Sequence, residues 1–140
     1  MRIVQIIVVA GVLVLVAGGI WRHLPAQREK SRVRAQVRAA ELGAQLAFAE
    51  NVYKEKFGSY TSDFSRLSTV LDEELPCPLQ ENNTVLACPD YRYYVQGPWL
   101  AAHLQADPAV YLLFGLASGQ VDCSHAPSAL QQSPLCSVLE

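Results

Sequence analysis

From Ile3 to Trp21 the chain carries no formally charged side chain, a run of nineteen residues. As an α-helix this run rises about 28 Å, close to the hydrocarbon thickness of a bilayer. The segment is therefore expected to sit in a membrane or among other apolar helices. Trp21, Arg22 and His23 supply the aromatic and basic edge that marks the exit of such a span. A cleaved secretory signal is the competing reading, with Arg2 as the basic start and Ala17-Gly18-Gly19 as a small-residue cleavage site. The apolar run is longer than the roughly 7 to 15 residues of a signal core, which favours the span.

A chain of 140 residues that commits its beginning to apolar surroundings has room for one compact head. Its charge of −2 hides a division: residues 1–58 hold nine Lys/Arg and four Asp/Glu (+5), and residues 59–140 hold two and nine (−7). The basic part lies beside the apolar run, as expected of a segment that meets lipid headgroups or acidic partners, and the head is acidic. With only Arg66 and Arg92 as basic residues in the head, nucleic acid is excluded as a partner. Arg22, Arg28, Lys30, Arg32, Arg34 and Arg38 follow the span, and the positive-inside rule alone would put the head in the cytoplasm. Cys77, Cys88, Cys123 and Cys136 point the other way. They are even in number, form no C-x-x-C pair and fall in a small head, which reads as two disulfides in an oxidising compartment. The cysteines decide the expected placement: an inner-membrane anchor with an extracytoplasmic head.

Leu24-Pro25 is expected to bend the helix, because proline lacks the backbone donor and crowds the preceding turn. From Ala26 to Phe57 there is no further proline, and the composition of Ala, Arg, Glu, Gln and Leu favours helix. Val33, Val37, Ala40, Ala44, Ala47 or Phe48, and Val52 recur at three- and four-residue steps, with Leu42, Leu46, Ala49 and Tyr53 beside them. One of these two stripes should lie under a sheet. Glu50 and Lys54, four apart, fit the solvent side, and Gly58 is placed to cap the helix. Residues 59–90 read as loop-rich, with one helical turn at Asp63 to Leu71 that turns Phe64, Leu67 and Val70 inward. Strands are expected at Tyr91 to Val95, Trp99 to Gln105, Ala109 to Leu116 and Gln120 to Cys123, with turns at Gly97-Pro98, Asp107-Pro108 and Ser118-Gly119. Their short connections imply an antiparallel meander.

The order of these features resembles the type IV pilin and pseudopilin family: an apolar N-terminal helix, Leu24-Pro25, a basic alanine-rich helix, then Ala47-Phe48-Ala49-Glu50-Asn51-Val52-Tyr53 leading into Phe57-Gly58-Ser59-Tyr60. In that family the helix typically ends in an acidic-aromatic stretch followed by Gly-x-Tyr, which Glu50, Tyr53, Gly58 and Tyr60 match. The resemblance implies an α+β fold, with a long N-terminal helix, transmembrane in its first half, packed on a small antiparallel meander. It divides the chain into an assembly helix (1–25) and a head (26–140) made of an amphipathic helix (26–57), an αβ-loop (58–90), the sheet (91–124) and a C-terminal disulfide loop (123–140). It further implies a structural subunit, not an enzyme, with no cofactor. Such a subunit polymerises with other pilin-like subunits into a periplasmic or cell-surface filament after residing in the inner membrane. The residues expected to carry assembly are Ile3, Val4, Gln5, Ile6, Val9, Leu13, Val16, Ile20 and Pro25. The family's processing motif, a glycine followed by phenylalanine and a glutamate five residues on, is not matched by Met1-Arg2-Ile3-Val4-Gln5, so the glutamate's role is not assigned to Gln5. The alternative is a single-span inner-membrane protein whose head binds a partner without polymerising.

Four cysteines allow three pairings. Cys77 with Cys88 and Cys123 with Cys136 is the scheme chosen, because each bridge then restrains a segment without expected secondary structure, and Cys123 to Cys136 resembles the family's C-terminal loop. The crossed pairings require the pre-sheet loop and the tail to meet at one edge of the meander.

No catalytic constellation is visible. His23, His103 and His125 are isolated, there is no G-x-S-x-G and no phosphate-cradling glycine loop. Cys123-Ser124-His125 lacks the partners of a closed zinc site. Asp72-Glu73-Glu74 lacks the spacing of an EF-hand loop and reads as a solvated acidic turn. Tyr91, Tyr93, Tyr94 and Trp99 read as strand packing before they read as a carbohydrate or peptide surface.

Overall fold

A computed structural model describes residues 2–137, with side chains described at residue 10, 12–16 and 27–136. The chain divides into two compact units, residues 1–34 and 35–140. Helix α1, Arg2–Phe57, runs through this boundary and is assigned without interruption at Pro25. In the first unit Val12, Leu13, Val14, Leu15 and Val16 are 55–77 % exposed. Among the described residues no helix is long and apolar enough to cross a membrane. The expected span, Ile3 to Trp21, falls mostly on residues whose side chains lie outside the described ones, and so do Pro25 and most of the expected assembly residues.

The second unit is α+β. Six antiparallel strands lie in sequence order: β1 (Leu79–Gln80), β2 (Val85–Ala87), β3 (Tyr91–Gln96), β4 (Trp99–Leu104), β5 (Tyr111–Gly115) and β6 (Val121–Asp122). The meander was expected to begin at Tyr91, and β1 and β2 extend it back into the stretch read as loop. They are too short to show alternation. Their turn places Glu81, Asn82 and Asn83 in the left-handed region, with φ 52°, 56° and 67°. Asparagine tolerates that conformation better than most residues.

The pairing register sorts the side chains by face. Leu79, Leu86, Tyr93, Ala102 and Leu112 form one row across the sheet, and Gln80, Val85, Tyr94, Ala101, Leu113 and Asp122 the adjacent row on the opposite face. The first face packs on α1, whose contribution to the core is Ala39, Ala40, Leu46, Ala47, Ala49 and Tyr53. Small helix residues let the sheet approach closely. A Cβ at Gly43 would collide with Cε2 and Cζ of Phe114, so the glycine makes the seat for that ring. The Tyr93 hydroxyl donates to the Ala39 carbonyl at 2.8 Å. The buried face takes Leu46, Ala49 and Tyr53 from one expected stripe and Ala40 and Ala47 from the other, and it leaves Val37 37 % and Phe48 71 % exposed.

The helix ends as expected, with glycine in the left-handed position beyond the last turn. Gly58 takes φ 87° and its N–H donates to Lys54 O at 2.7 Å. Helix α2 (Phe64–Leu67) follows, started by Asp63, whose carboxylate accepts the Ser65 N–H at 2.9 Å. Phe64 and Leu67 are buried, and a 3₁₀ turn at Ser68–Val70 completes this segment with Val70 packed against the core.

Both expected disulfides are present, Cys77–Cys88 and Cys123–Cys136. The first staples the open end of the β1–β2 hairpin, where Ala87 N–H also donates to Pro78 O at 2.9 Å, and so reinforces a strand pair where a loop was expected. Within the second bridge lie single-turn helices α3 (Ser128–Gln131) and α4 (Pro134–Ser137), and Leu130 is buried in the core. The segment was expected to lack secondary structure, and these two turns with Leu130 in the core hold it instead.

Candidate functional site

The acidic-aromatic stretch and the Gly-x-Tyr that follows it lie together at the end of α1. Glu50 was expected on the solvent side with Lys54, and it is instead fully buried (0 % exposed). Its Oε2 accepts the Thr61 N–H at 3.0 Å, and its Oε1 has no partner among the described residues. The helix geometry explains the correction: Glu50 lies four residues after Leu46 and three before Tyr53, which places it on the core stripe. Burial raises its carboxyl above the ordinary value, against the opposing effect of the Thr61 N–H. Beside it the Tyr60 hydroxyl donates to Asn51 Oδ1 at 3.3 Å, and Asn51 Nδ2 donates to Ala47 O at 3.1 Å. Lys54 Nζ stands 4.6 Å above the Tyr60 ring, within reach of its electron-rich face. Tyr53 and Phe57 pack with ring centroids 4.5 Å apart. Gly58 and Tyr60 thus turn the chain and tie it back to the helix it has just left.

A second cluster lies on the sheet face away from the helix. Tyr94, His103, Tyr111 and His125 stack in order, with centroid separations of 5.3, 4.9 and 4.5 Å and interplanar angles of 20°, 21° and 11°. His103 Nδ1 stands 2.9 Å from Pro108 O. Since a carbonyl only accepts, Nδ1 carries the proton in the neutral ring. Nε2 then accepts from the Tyr94 hydroxyl at 2.8 Å. Both ring nitrogens are occupied, which leaves no free lone pair for a base or a metal ligand. Each inner ring has its faces covered by its neighbours, so the ladder offers edges and not a flat stacking platform. Next to it, an open cleft of about 550 Å³ is lined by Glu81, Thr84, Arg92, Tyr94, His103 and neighbouring residues. Tyr91 and Tyr93, grouped with Tyr94 and Trp99 in the sequence, are core residues of the opposite face, and burial raises both of their hydroxyl pKa values.

Asp122, Ser124 and His125 are adjacent but do not form a nucleophile. Ser124 Oγ donates to Asp122 Oδ1 at 2.7 Å and stands 3.0 Å from His125 Nδ1. The serine is the middle member and its proton points at the carboxylate, whereas activation requires the histidine in the middle. The Ser124 N–H and hydroxyl hold the Asp122 carboxyl below its ordinary value. Cys123 is bridged to Cys136 and cannot serve as a thiolate ligand. Among the described residues no group of three or more His, Cys, Asp or Glu is placed to hold a metal ion. Asp72, Glu73 and Glu74 are exposed.

Of the expected assembly residues, Leu13 and Val16 have described side chains, and both are exposed. Ile3, Val4, Gln5, Ile6, Val9, Ile20 and Pro25 lie outside the described side chains. Compared with known proteins, the chain matches no family model, no curated protein and no solved structure.

Proposed function

We propose that this chain is a structural subunit of the pilin or pseudopilin kind, non-enzymatic and without a cofactor. It is held in the inner membrane with its head outside the cytoplasm and assembles with pilin-like subunits through its N-terminal helix. The observation that carries this reading is the pairing of one helix, α1, that continues from an uncharged apolar run with exposed Val12 to Val16 into the core of a disulfide-bonded head. Exposed aliphatic side chains in that run gain free energy from burial, in lipid first and among other helices afterwards. Assembly needs no turnover chemistry, and the roles of Glu50, Tyr60 and Gly58 are accounted for by securing the turn that follows α1 within the head.

The cleft and aromatic ladder on the outer sheet face favour a second reading, an anchored protein whose head binds a partner without polymerising. Mass spectrometry of the N-terminus, on protein recovered separately from sheared or periplasmic filaments and from inner membrane, distinguishes the two. A subunit is expected in the filament fraction. Recovery only as an unprocessed inner-membrane monomer rejects assembly and leaves the second reading.

A further inference from the structure

Beside the buried face of α1 runs a groove of about 660 Å³ between the helix and the chain at residues 71–76. Leu42, Phe48, Leu71 and Leu75 make its apolar part, and Phe48 is left largely in solvent. Asp72, Glu73 and Glu74 make its rim, all exposed. Among the described residues the ion pairs are Asp63–Arg66 and Glu81–Arg92, so these three carboxylates are not neutralised within the head. Arg28, Lys30, Arg32, Arg34 and Arg38 on α1 are likewise exposed and unpaired among the described residues. Arg28 and Arg32 are four apart, as are Lys30 and Arg34, and Arg34 and Arg38, so cations follow one another along the helix at about 6 Å intervals. Val33 and Val37 lie between them, and Val37 is exposed.

We propose that this groove receives residues 28–38 of a second copy of the chain, with the carboxylates of residues 72–74 facing the cations and Phe48 covering Val33 and Val37. The inference rests on the assembly reading above and specifies the contact that sets one copy against the next. Charge complementarity selects the occupant. The groove is acidic. After the helix the cations are Arg66 and Arg92, both already ion-paired, and Lys54 and Lys56 at the helix end lie over the Tyr60 and Phe57 rings. Residues 28–38, by contrast, carry a run of cations that are unpaired among the described residues and flank small apolar side chains. Like-charge repulsion disfavours a head-to-head contact through the same rim.

The test uses the full chain in its native membrane with Phe48→p-benzoylphenylalanine, and in parallel Val14→p-benzoylphenylalanine as a probe of helix association. Light-induced adducts from position 48 are expected on residues 28–38 of a second copy. Glu73→Arg with Glu74→Arg should lower their yield about tenfold, and adding Arg32→Glu with Arg34→Glu should restore it to within about twofold. All four positions are exposed, so the swap leaves the core intact. If position 48 reacts with lipid, with another protein, elsewhere on a second copy or not at all, while position 14 still joins two copies, the groove contact is overturned and the assembly reading stands. If position 48 joins no second copy and position 14 joins neither a second copy nor another pilin-like subunit, both fall. Failure of the double swap to restore the yield overturns the charge pairing.

Discussion

Glu50 and Thr61 are joined across the exit of α1: the buried carboxylate accepts the Thr61 N–H at 3.0 Å, eleven residues on. The contact fixes how the chain turns back on the helix it has left. It also places a titratable group in the core, with one oxygen unpartnered among the described residues. The protein thereby accepts a carboxylate where an apolar residue would ordinarily stand, and the consequence is a dependence of stability on pH.

Burial raises the Glu50 carboxyl above its ordinary value of 4.5, so the folded state binds this proton more tightly than the unfolded one. The stability this contributes is fully present below the ordinary carboxylate range and is lost as pH rises through the raised value. Asp63 and Asp122 are shifted down and act in the opposite sense, losing stability in acid, so the difference between variants isolates Glu50. Glu50→Gln, which keeps an acceptor for Thr61, should melt above the unsubstituted protein at pH 8 and converge with it as pH falls to 4. Glu50→Ala, which leaves the Thr61 N–H unpaired, should lose about 1–3 kcal/mol at pH 4 and less at pH 8, where it also removes the buried charge. Thermal melts of the full chain in detergent from pH 4 to 8 check both.

Leu46 and Val37 sit on the two stripes of α1 that the sequence left equivalent. Leu46→Asp puts a carboxylate in the core and should cost on the order of 3–5 kcal/mol. Val37→Asp, at a partly exposed site, should stay within about 1 kcal/mol of the unsubstituted protein. Urea titration of both variants reads the difference, and equal effects would reject the packing of this helix face on the sheet.

Much of the architecture is legible before folding. The length of α1 follows from helix formers without a proline after Pro25, and β3 and β4 from the alternation of Tyr91, Tyr93 and Val95 around Gly97-Pro98. What escapes the sequence depends on partners distant along the chain. Glu50 looks solvent-facing because a charge four residues before Lys54 suggests a surface pair, and its acceptor role appears only once Thr61 is brought beside it. The ladder of Tyr94, His103, Tyr111 and His125 is assembled from separate segments by strand register, and a one-residue slip would send its strand residues to the other face. The β1–β2 hairpin is too short for periodicity, and Asn82-Asn83, read as irregular, are its turn.

Gly43 tests whether packing outweighs helix propensity. Alanine favours an exposed helix interior over glycine by about 1 kcal/mol, but here the added methyl meets the Phe114 ring directly. Gly43→Ala should therefore destabilise by about 1–3 kcal/mol, the usual cost of overpacking. Phe114→Leu alone should also destabilise, through lost volume, and the double variant should be more stable than the sum of the two changes indicates. A double-mutant cycle by urea denaturation measures this coupling, and strict additivity would show that residue 43 and the ring do not share the space.

The disulfides connect fold to compartment. Cys77–Cys88 joins residues eleven apart around β1 and β2, and Cys123–Cys136 joins residues thirteen apart around α3 and α4. On the chain-entropy account, loops of this size contribute on the order of 3 kcal/mol each. Their local consequences should differ. Opening the first with Cys77→Ser and Cys88→Ser frees the end of a hairpin whose Leu86 is buried, so hydrogen exchange should rise in residues 79–87 while β4 and β5 stay protected. Opening the second with Cys123→Ser and Cys136→Ser leaves Leu130 to hold the tail, so protection should fall across residues 123–137 and at β6, the edge strand next to it. Non-reducing peptide mapping of protein alkylated at the moment of cell lysis checks the pairing. The expected products join Cys77 to Cys88 and Cys123 to Cys136. A crossed peptide would contradict the pairing, and four alkylated free thiols would place the head in a reducing compartment and remove the basis for putting it outside the cytoplasm.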